Sequence, residues 1–339
     1  MKTIPVEEAV GMVLGHDVTR IAPGESKGPA FRKGHVVREE DIPVFLDIGK
    51  RHLYVLELDE GTVHENEAAL RITQGASGRG ITLTEPKEGR VNLMADYQGL
   101  LKVNPAALSR INSIEAIAFA SLKTDGIVAP GQAVAGARII PLVCEEEKVR
   151  QVERICRNHT PVIQVKPFIP KKVGIVTTGS EVYSGRIQDK FGPVLRDKFG
   201  SLGCPVMGQT FVSDDVEMTV GAIRDFLDQG AEMIAVTGGM SVDPDDQTPA
   251  SIRAAGGQVV TYGAPVFPGA MFMLAFIGDV PVVGLPGCVM YFRASIFELA
   301  VHRILAGETV TKADIVEMGH GGFCSGCAEC RYPICGFGK

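Results

Sequence analysis

The stretch Lys172-Val-Gly-Ile-Val-Thr-Thr-Gly-Ser-Glu181 passes from an apolar, β-branched run into small and hydroxylated residues. Such a run predicts a buried strand that ends in a tight turn. Similar apolar runs recur as far as residue 305, with amphipathic segments between most of them. The pattern predicts strands at Lys172–Thr178, Pro205–Val212, Glu232–Thr237, Gln258–Tyr262, Ala270–Ile277 and Val280–Gly284, and helices at Pro193–Leu202, Val216–Leu227, Pro249–Ala255 and Met290–Leu305.

This alternation predicts an α/β fold for residues 171–307. Strands separated by helices of this length pair in parallel, through right-handed crossovers that place helices on both faces of the sheet. We therefore expect a three-layer, mostly parallel sheet. Ligands of such sheets bind at the carboxyl ends of the strands, so the loops that follow the strands are the candidate site.

The rest of the chain predicts three further parts, since 339 residues exceed the ~250 that one core usually holds. Residues 1–70 carry short strands and indicate a small, mainly β module. Residues 71–170 indicate an α+β accessory region that ends in a linker marked by Pro161, Pro167 and Pro170. Residues 308–339 form a cysteine-rich tail.

Composition and charge exclude several classes of protein. Hydrophobic residues make up 45% of the chain and charged residues 22%, which is typical of a globular protein. The net charge of −6 disfavours a nucleic-acid groove, because phosphate neutralisation needs clustered Lys and Arg. No apolar run approaches the ~18 residues of a membrane span, and Glu7 and Glu8 interrupt any signal peptide. We expect a cytoplasmic protein without membrane or nucleic-acid partners.

The first candidate loop is Thr178-Gly-Ser-Glu181, which follows the strand at Lys172–Thr178. Backbone N–H groups near a helix N-terminus can hold an anion, and Glu181 and the nearby Asp189 could bond a heterocycle or a cation. The alternative is a plain turn before a helix that Asp189 caps.

The second candidate loop follows the strand at Glu232–Thr237. Gly238 and Gly239 permit close approach of a backbone, and three carboxylates, those of Asp243, Asp245 and Asp246, follow within four residues. Crowded carboxylates repel one another unless a cation or hydrogen-bond donors compensate their negative charge. Mg²⁺ is the candidate cation. The alternative is that Asp245 and Asp246 cap the next helix.

The third pair of loops brings Pro-Gly turns after two strands, at Pro268-Gly269 and Pro286-Gly287. The second turn precedes the helix predicted at Met290–Leu305, whose N-terminus could bind a phosphate. The alternative for each is a structural turn.

Together these loops resemble the molybdopterin-binding domain shared by the molybdopterin adenylyltransferase and molybdopterin molybdotransferase families. The resemblance implies that the chain binds molybdopterin or the finished molybdenum cofactor and takes part in molybdenum cofactor biosynthesis. The matching elements, in their order along the chain, are Thr178-Gly-Ser-Glu, Gly185-x-Ile-x-Asp189, Gly238-Gly-Met-Ser-Val with Asp246 downstream, Pro268-Gly and Leu285-Pro-Gly.

In the molybdotransferases this domain binds adenylylated molybdopterin and releases AMP with Mg²⁺ while molybdate is placed on the dithiolene. The resemblance implies a homodimer and gives Glu181, Asp189 and Asp246 the acidic catalytic roles, with Asp246 also a metal ligand. It implies cofactor binding by Thr178, Gly179, Ser180, Gly238, Gly239, Ser241, Pro268, Gly269, Pro286 and Gly287.

Two departures from the family pattern favour a second hypothesis. The family loop often has a lysine beside its Pro-Gly, where this chain has Phe267, and the family's Asn-Pro is replaced by Cys288-Val289. Cys288 is then either a soft ligand or a buried thiol. A protein without these groups could be a non-catalytic carrier or maturation protein for a client molybdoenzyme. A third class, a hydrolase on the same fold, stays open because fold does not determine function.

The tail holds four of the eight cysteines, Cys324, Cys327, Cys330 and Cys335, in a C-x2-C-x2-C-x4-C pattern. Two-residue gaps let successive thiolates turn toward one centre, which suits Zn²⁺ or an iron–sulfur cluster. Disulfides or free thiols are the alternatives. His320, beside the tail, is a reserve ligand. In the front half, Lys33–Ile42 resembles small β-clip modules.

Overall fold

The computed structural model describes residues 2–20, 28–55 and 60–338. The chain divides into two compact units, one made of Met1–Tyr97, Leu101–Thr124 and Val128–Val165, the other of Gln98–Leu100, Asp125–Ile127 and Lys166–Lys339. The four-part division predicted from the sequence stays a prediction, and part of its first module, residues 21–27 and 56–59, lies outside the described residues. None of the helices in the described ranges has the length and apolar character that crossing a membrane requires.

The described residues of the front part form short strands and four α-helices. One apolar cluster includes Phe45 and Leu53, and a second includes Ile72, Leu93 and Ile111, all of them buried. The strands are β1 (Lys2–Pro5), β2 (Val18–Arg20), β3 (Gly28–Phe31), β4 (His52–Val55), β5 (Thr62–His64), β6 (Ile81–Leu83), β7 (Arg90–Ala95), β8 (Gly99–Val103), β9 (Ile117–Ser121), β10 (Ile127–Val128), β11 (Ala133–Ile139), β12 (Val143–Glu145) and β13 (Ile163–Pro167); the helices are α1 (Ile42–Asp47), α2 (Glu65–Ala76), α3 (Pro105–Asn112) and α4 (Glu146–Asn158), with 3₁₀ turns at Val6–Glu8 and Glu39–Asp41.

These strands form small sheets. The largest has four strands in the order β6-β7-β11-β9, and its described pairs are antiparallel. A three-stranded sheet has the order β10-β8-β13, and β1 with β4, β2 with β3 and β5 with β12 form two-stranded ribbons. Strands this short and antiparallel agree with the mainly β and α+β character that the sequence indicates.

The second unit contains the α/β fold that the alternation of strands and helices predicts. Its sheet has six strands in the order β15-β14-β16-β19-β18-β17. The strands are β14 (Val173–Thr178), β15 (Val206–Val212), β16 (Met233–Thr237), β17 (Gln258–Tyr262), β18 (Met273–Ile277) and β19 (Val280–Leu285); the helices are α5 (Ser180–Tyr183), α6 (Phe191–Ser201), α7 (Val216–Asp228), α8 (Thr248–Ala254), α9 (Cys288–Tyr291), α10 (Ile296–Leu305) and α11 (Lys312–Glu317).

The sheet is parallel where helices connect its strands and antiparallel where hairpins do. β14 pairs in parallel with β15 and β16, and β16 pairs in parallel with β19. β17, β18 and β19 pair antiparallel, and loops without a helix join them, of ten residues between β17 and β18 and two between β18 and β19. The predicted α/β class is therefore confirmed.

β14 is buried along its whole length because helices cover both faces of the sheet. Ile175 belongs to an apolar cluster with Leu195 of α6 and Phe297 of α10. Val176, its neighbour, belongs to a separate cluster that contains residues of α7 and α8. Successive side chains of a strand point to opposite faces, so these two clusters are the two outer interfaces of a three-layer fold. Gly174 is the close contact on the second face, since a Cβ there would lie 2.5 Å from Phe226 Cγ.

The prediction of one long helix at Met290–Leu305 is wrong. α9 ends at Tyr291, and α10 begins at Ile296. Between them the Ser295 hydroxyl accepts a hydrogen bond from Phe297 N, and Glu298 Oε2 accepts one from Ser295 N at 2.7 Å. This capping box satisfies N–H groups that a continuous helix would bond to carbonyls, so it starts a new helix in the buried part of the domain.

Candidate functional site

A cavity of about 1130 Å³ opens where β14, β16 and β19 end, the position expected for a ligand in a parallel sheet. The ends of β14 and β16, the start of α6 and the short helix α9 contribute its walls. The lining residues are Thr177, Thr178, Gly179, Ser180, Glu181, Val182, Ile187, Gln188, Asp189, Lys190, Phe191, Asp214, Gly238, Gly239, Asp243, Pro244, Asp245, Asp246, Met290 and Tyr291. The structure thus brings the first two predicted loops to one place.

The first loop is held by a carboxylate that sequence reasoning missed. Asp214 Oδ2 accepts hydrogen bonds from Ser180 N at 2.8 Å and from Ser180 Oγ at 3.0 Å. Asp214 lies two residues after Val212, the last residue of β15. Because β15 pairs with β14, the ends of these two strands are neighbours, and Asp214 reaches the loop that follows β14. The sequence pattern predicts Ser213 or Asp214 as the cap of α7, and that prediction is wrong, because Asp215 caps α7 through Met218 N.

The second loop packs backbone to backbone against the first. Gly238 has a φ of +85°, and a Cβ on it would lie 2.2 Å from Thr178 O. Only glycine allows both that φ and that approach. The Thr248 hydroxyl donates to Gly238 O at 2.8 Å and lies 3.2 Å from Thr178 Oγ1, so a buried side chain of α8 links the two loops. Thr248 is another positioning residue that the sequence pattern did not reveal.

Asp189 caps the start of α6. Its carboxylate accepts hydrogen bonds from Phe191 N at 2.8 Å and Gly192 N at 3.0 Å, as the capping alternative predicts. Gln209 Nε2 donates to Asp189 Oδ2 at 2.7 Å and to Thr177 Oγ1 at 2.9 Å. Gln209 therefore ties the helix start to the sheet, and a polar side chain in the middle of a predicted strand was the signal available for it.

The acidic residues of the second loop do not cap the following helix, so that alternative is wrong. α8 begins after Gln247 without a side-chain cap. Asp246 Oδ2 instead accepts a hydrogen bond from Asp243 N at 3.2 Å, which closes a short turn within the loop. The Asp245 and Asp246 carboxylates line the cavity and are available to a ligand there.

The cavity carries a strong excess of negative charge. Its lining contains one lysine, Lys190, and six carboxylates, those of Glu181, Asp189, Asp214, Asp243, Asp245 and Asp246. In the described ranges no three His, Cys, Asp or Glu side chains are grouped so that they could hold a metal ion by themselves. A cation in this cavity therefore needs oxygen atoms from a ligand or from water to complete its coordination.

The remaining predicted site residues lie outside the lining of this cavity. Ser241 is exposed beyond the second loop, and Pro286 and Gly287 precede α9, which has only four residues. Gly269 is buried against α10, since a Cβ on it would lie 2.5 Å from Ile296 Cβ, and Pro268 O accepts a hydrogen bond from Ile296 N.

Two of the groups at which the chain departs from the family pattern also lie outside the cavity lining. Cys288 is half-buried, and burial raises the pKa of its thiol, so it stays protonated near neutral pH. The Phe267 side chain is 56% exposed.

The four tail cysteines line a second cavity, of about 360 Å³. All eight cysteines of the chain are free thiols in this structure. The second cavity is walled on its other side by the segment Tyr291–Ala294, and Tyr291 also lines the first cavity. The two cavities therefore adjoin each other.

Comparison with known families supports the ligand class that the loops indicate. The model of a family described as "Probable molybdopterin binding domain" matches residues 174–306. This segment is a molybdopterin-binding domain. Residues 3–57 match a second family, described as a domain of unknown function (DUF8806). The chain is thus a divergent protein that contains a molybdopterin-binding domain.

Individual relatives match only part of the chain. A CinA-like protein of Mycobacterium avium (strain 104) is 35% identical over 80 residues, which are 24% of this chain and 18% of that protein. A CinA-like protein of Mycolicibacterium gilvum (strain PYR-GCK) is 38% identical over 77 residues, 23% of this chain and 18% of the relative. The chain thus spans about a fifth of the length of these curated relatives.

Among solved structures, the tungsten cofactor synthesizing protein MoaB of Pyrococcus furiosus is 20% identical, with a TM-score of 0.34. That match covers 41% of this chain and 96% of the other. The molybdopterin biosynthesis enzyme MoaB of Thermus thermophilus is 18% identical, with a TM-score of 0.33, and the match covers 41% of this chain and 98% of the other.

Proposed function

We propose that this protein binds adenylylated molybdopterin in the first cavity and, with Mg²⁺, releases AMP while molybdate is placed on the dithiolene, as a molybdopterin molybdotransferase does. The observation that carries the proposal is the cavity itself, which joins two glycine-containing loops and six carboxylates at the carboxyl end of a parallel sheet. Ligands of parallel sheets bind at this end of the strands, which supports the proposal.

The size of the cavity supports a large ligand. Pockets for small molecules usually measure about 300–1,000 Å³, and this one measures about 1130 Å³. A pterin joined to a nucleotide through a diphosphate is a ligand of this class. Backbone N–H groups at Gly238 and Gly239, where no side chain hinders approach, are suited to its phosphate oxygens.

The charge of the cavity supports a cation that is bound together with the ligand. A diphosphate brought against six carboxylates and one lysine would be repelled, so counter-charge is needed. Mg²⁺ is commonly held by one or two carboxylates, several waters and substrate phosphates, which agrees with a cavity that offers carboxylates but, in the described part of the chain, no complete ion site of its own. Asp246 and Glu181 are the residues proposed to hold it. Bound there, Mg²⁺ would neutralise phosphate oxygens at the bond that breaks.

The proposed roles of the acidic residues differ with their hydrogen bonds. Asp189 already accepts three hydrogen bonds and acts as a positioning residue, which holds the start of α6 against the cavity. Glu181 is exposed at the cavity and is available to meet the ligand or an attacking water. Cleavage of a phosphoanhydride depends mainly on charge neutralisation and positioning, so these groups are sufficient without a covalent intermediate.

A specific observation favours the carrier function as the second candidate. Molybdate is an oxyanion and needs cationic groups, but the first cavity has a single lysine, and the position beside Pro268 holds the apolar Phe267. A carrier would bind the pterin tightly without turnover and present it to a client molybdoenzyme. The client enzyme, the homodimer and a cytoplasmic location stay predictions from the resemblance and the composition.

The test is AMP release from adenylylated molybdopterin by the purified chain with molybdate, with and without Mg²⁺. We expect Mg²⁺-dependent AMP release that falls about 100-fold or more in Asp246→Asn, because losing one positioned charge at a transition state costs about 3–4 kcal/mol. Asp197→Asn, the same substitution at an exposed site on α6 outside the cavity lining, is the matched control and should keep wild-type activity.

Binding and turnover separate the two candidates. Isothermal titration with molybdopterin should show binding in wild type and weaker binding in Asp246→Asn. Tight binding without any AMP release would reject the transferase and establish the carrier. Absence of binding would reject both.

A further inference from the structure

The cysteine-rich tail is a closed loop that packs on the second unit. Gly338 N donates to Gly321 O at 2.9 Å, which joins the two ends of the loop. Phe267 N donates to Gly322 O and Cys324 N donates to Phe267 O, both at 2.8 Å, so the loop is also bonded to the Pro268-Gly269 turn. Phe337 is buried in the same apolar cluster as Leu299 of α10.

This loop places all four tail cysteines around one cavity. Cys324, Cys330 and Cys335 pack against the apolar core, and Cys327 is exposed at the mouth. None of the four is in a disulfide. A loop that uses main-chain hydrogen bonds and a buried aromatic residue to bring four thiols to a cavity of about 360 Å³ forms a site for a thiophilic group.

We propose that this cavity binds a [4Fe–4S] cluster through Cys324, Cys327, Cys330 and Cys335. A single tetrahedral zinc would need the four sulfurs within about 3.8 Å of one another, since each Zn–S bond is about 2.3 Å. The four cysteines line a cavity of about 360 Å³, far more space than a single zinc ion occupies. A cubane cluster presents a separate iron to each thiolate, so its ligands stand further apart and around a volume.

The charge of the cavity supports the same group. Its lining residues include Arg293 and Arg331 and no carboxylate, in contrast to the six carboxylates of the first cavity. A cluster held by four thiolates is an anion, and nearby cationic groups stabilise it. The rings of Tyr332 and Phe337 lie 6.2 Å apart and add apolar surface to the cavity wall.

The cluster adjoins the molybdopterin cavity. Tyr291 lines both cavities, and the segment Tyr291–Ala294 that separates α9 from α10 is one wall of the cysteine cavity. The break between these helices, enforced by the capping box at Ser295, therefore gives the cluster its wall. The cluster site itself does not rest on the transferase proposal, since its evidence lies in the tail alone.

The test is anaerobic reconstitution of the full-length protein with ferrous iron and sulfide, followed by iron and sulfide analysis, visible absorption and electron paramagnetic resonance of the reduced sample. We expect about four iron and four sulfide per chain. Cys327→Ser should lose most of this iron, and because Cys327 is exposed, the substitution should leave the fold intact as judged by circular dichroism. Cys288→Ser, which changes a thiol outside the cavity lining, should keep the full content.

Alkylation of the wild-type protein tests the same site without a variant. In the reconstituted protein iodoacetamide, read out by mass spectrometry, should label the four tail cysteines far less than in the apoprotein, with no change at Cys288. One zinc per chain with no iron uptake would overturn the proposal. Iron content that Cys327→Ser leaves unchanged, or equal labelling of the tail with and without iron, would overturn it as well.

Discussion

Replacing Gly238 by Ala should separate the steric role of this residue from the conformational one. The φ of +85° costs an alanine about 1–3 kcal/mol, because L-residues rarely adopt that region. The added Cβ would also lie 2.2 Å from Thr178 O, a backbone atom that cannot rotate away. Forced overpacking of this kind costs about 1–3 kcal/mol more. The expected loss in free energy of unfolding is therefore about 2–6 kcal/mol.

Gly256 supplies the matched control. It also has a positive φ, of +101°, but a Cβ there would meet nothing within 4 Å. Gly256→Ala should therefore lose only the conformational part, about 1–3 kcal/mol. In a unit of this size, each kcal/mol lowers the melting temperature by about 2–4 °C, so Gly238→Ala should melt about 2–12 °C below Gly256→Ala.

The assay is thermal and urea unfolding followed by far-UV circular dichroism, since the chain has no tryptophan to report by fluorescence. The two compact units can unfold separately, so the transition assigned to the second unit is the one compared. Molybdopterin binding should be lost in Gly238→Ala and kept in Gly256→Ala. Equal destabilisation of the two variants, with binding intact in both, would refute the close packing of the two loops.

Two further predictions concern the core beneath the site. Lys198→Met should destabilise the second unit by about 3–5 kcal/mol in urea unfolding, because it leaves the buried Glu298 carboxylate without its cationic partner. Lys312→Met, at an exposed site, should cost little, and equal losses in the two variants would contradict the pairing. Burial, and next the charge of Lys198, lower the pKa of His302 to about 3. The histidine therefore takes up a proton at a higher pH in the unfolded chain than in the folded one, and the free energy of unfolding falls as the pH drops from about 6.5 toward 3. His302→Phe should reduce that slope between pH 6.5 and 4.5 by up to about 1.4 kcal/mol per pH unit, and an unchanged slope would show that His302 is not the group responsible.

The strands and helices of the second unit could largely be predicted because local pattern determines them. The strand predicted at Glu232–Thr237 is observed at Met233–Thr237, and the helix predicted at Val216–Leu227 is observed at Val216–Asp228. A fully buried strand needs an unbroken apolar run, and such a run is visible without any knowledge of its neighbours. The antiparallel pairing of β17, β18 and β19 was less evident, since a loop between two strands does not show which strand each of them pairs with.

The break between α9 and α10 was missed although a signal was present. Ser295 and Glu298 have the spacing of a capping box, but the apolar residues on either side of them continue the helical pattern. Hydrophobic periodicity alone favours one helix there. The hydrogen bonds of the box, formed inside the buried part of the domain, decide for two.

The sequence by itself determined the α/β class, the position of the loops that follow the strands, and the residue types in them: glycines that permit close approach, carboxylates that call for a cation, and four closely spaced thiols. These are properties of short segments, because backbone freedom, charge and thiolate chemistry belong to the residues themselves.

Only the tertiary structure decided which of those residues meet. It brought the first two loops together through Thr178 and Gly238, assigned Asp189 to the start of α6, left Pro268-Gly269 and Pro286-Gly287 outside the cavity lining, and placed the cysteine tail beside Tyr291. The physical reason is that a cavity is formed by residues far apart in the chain, and strand order and packing set their distances.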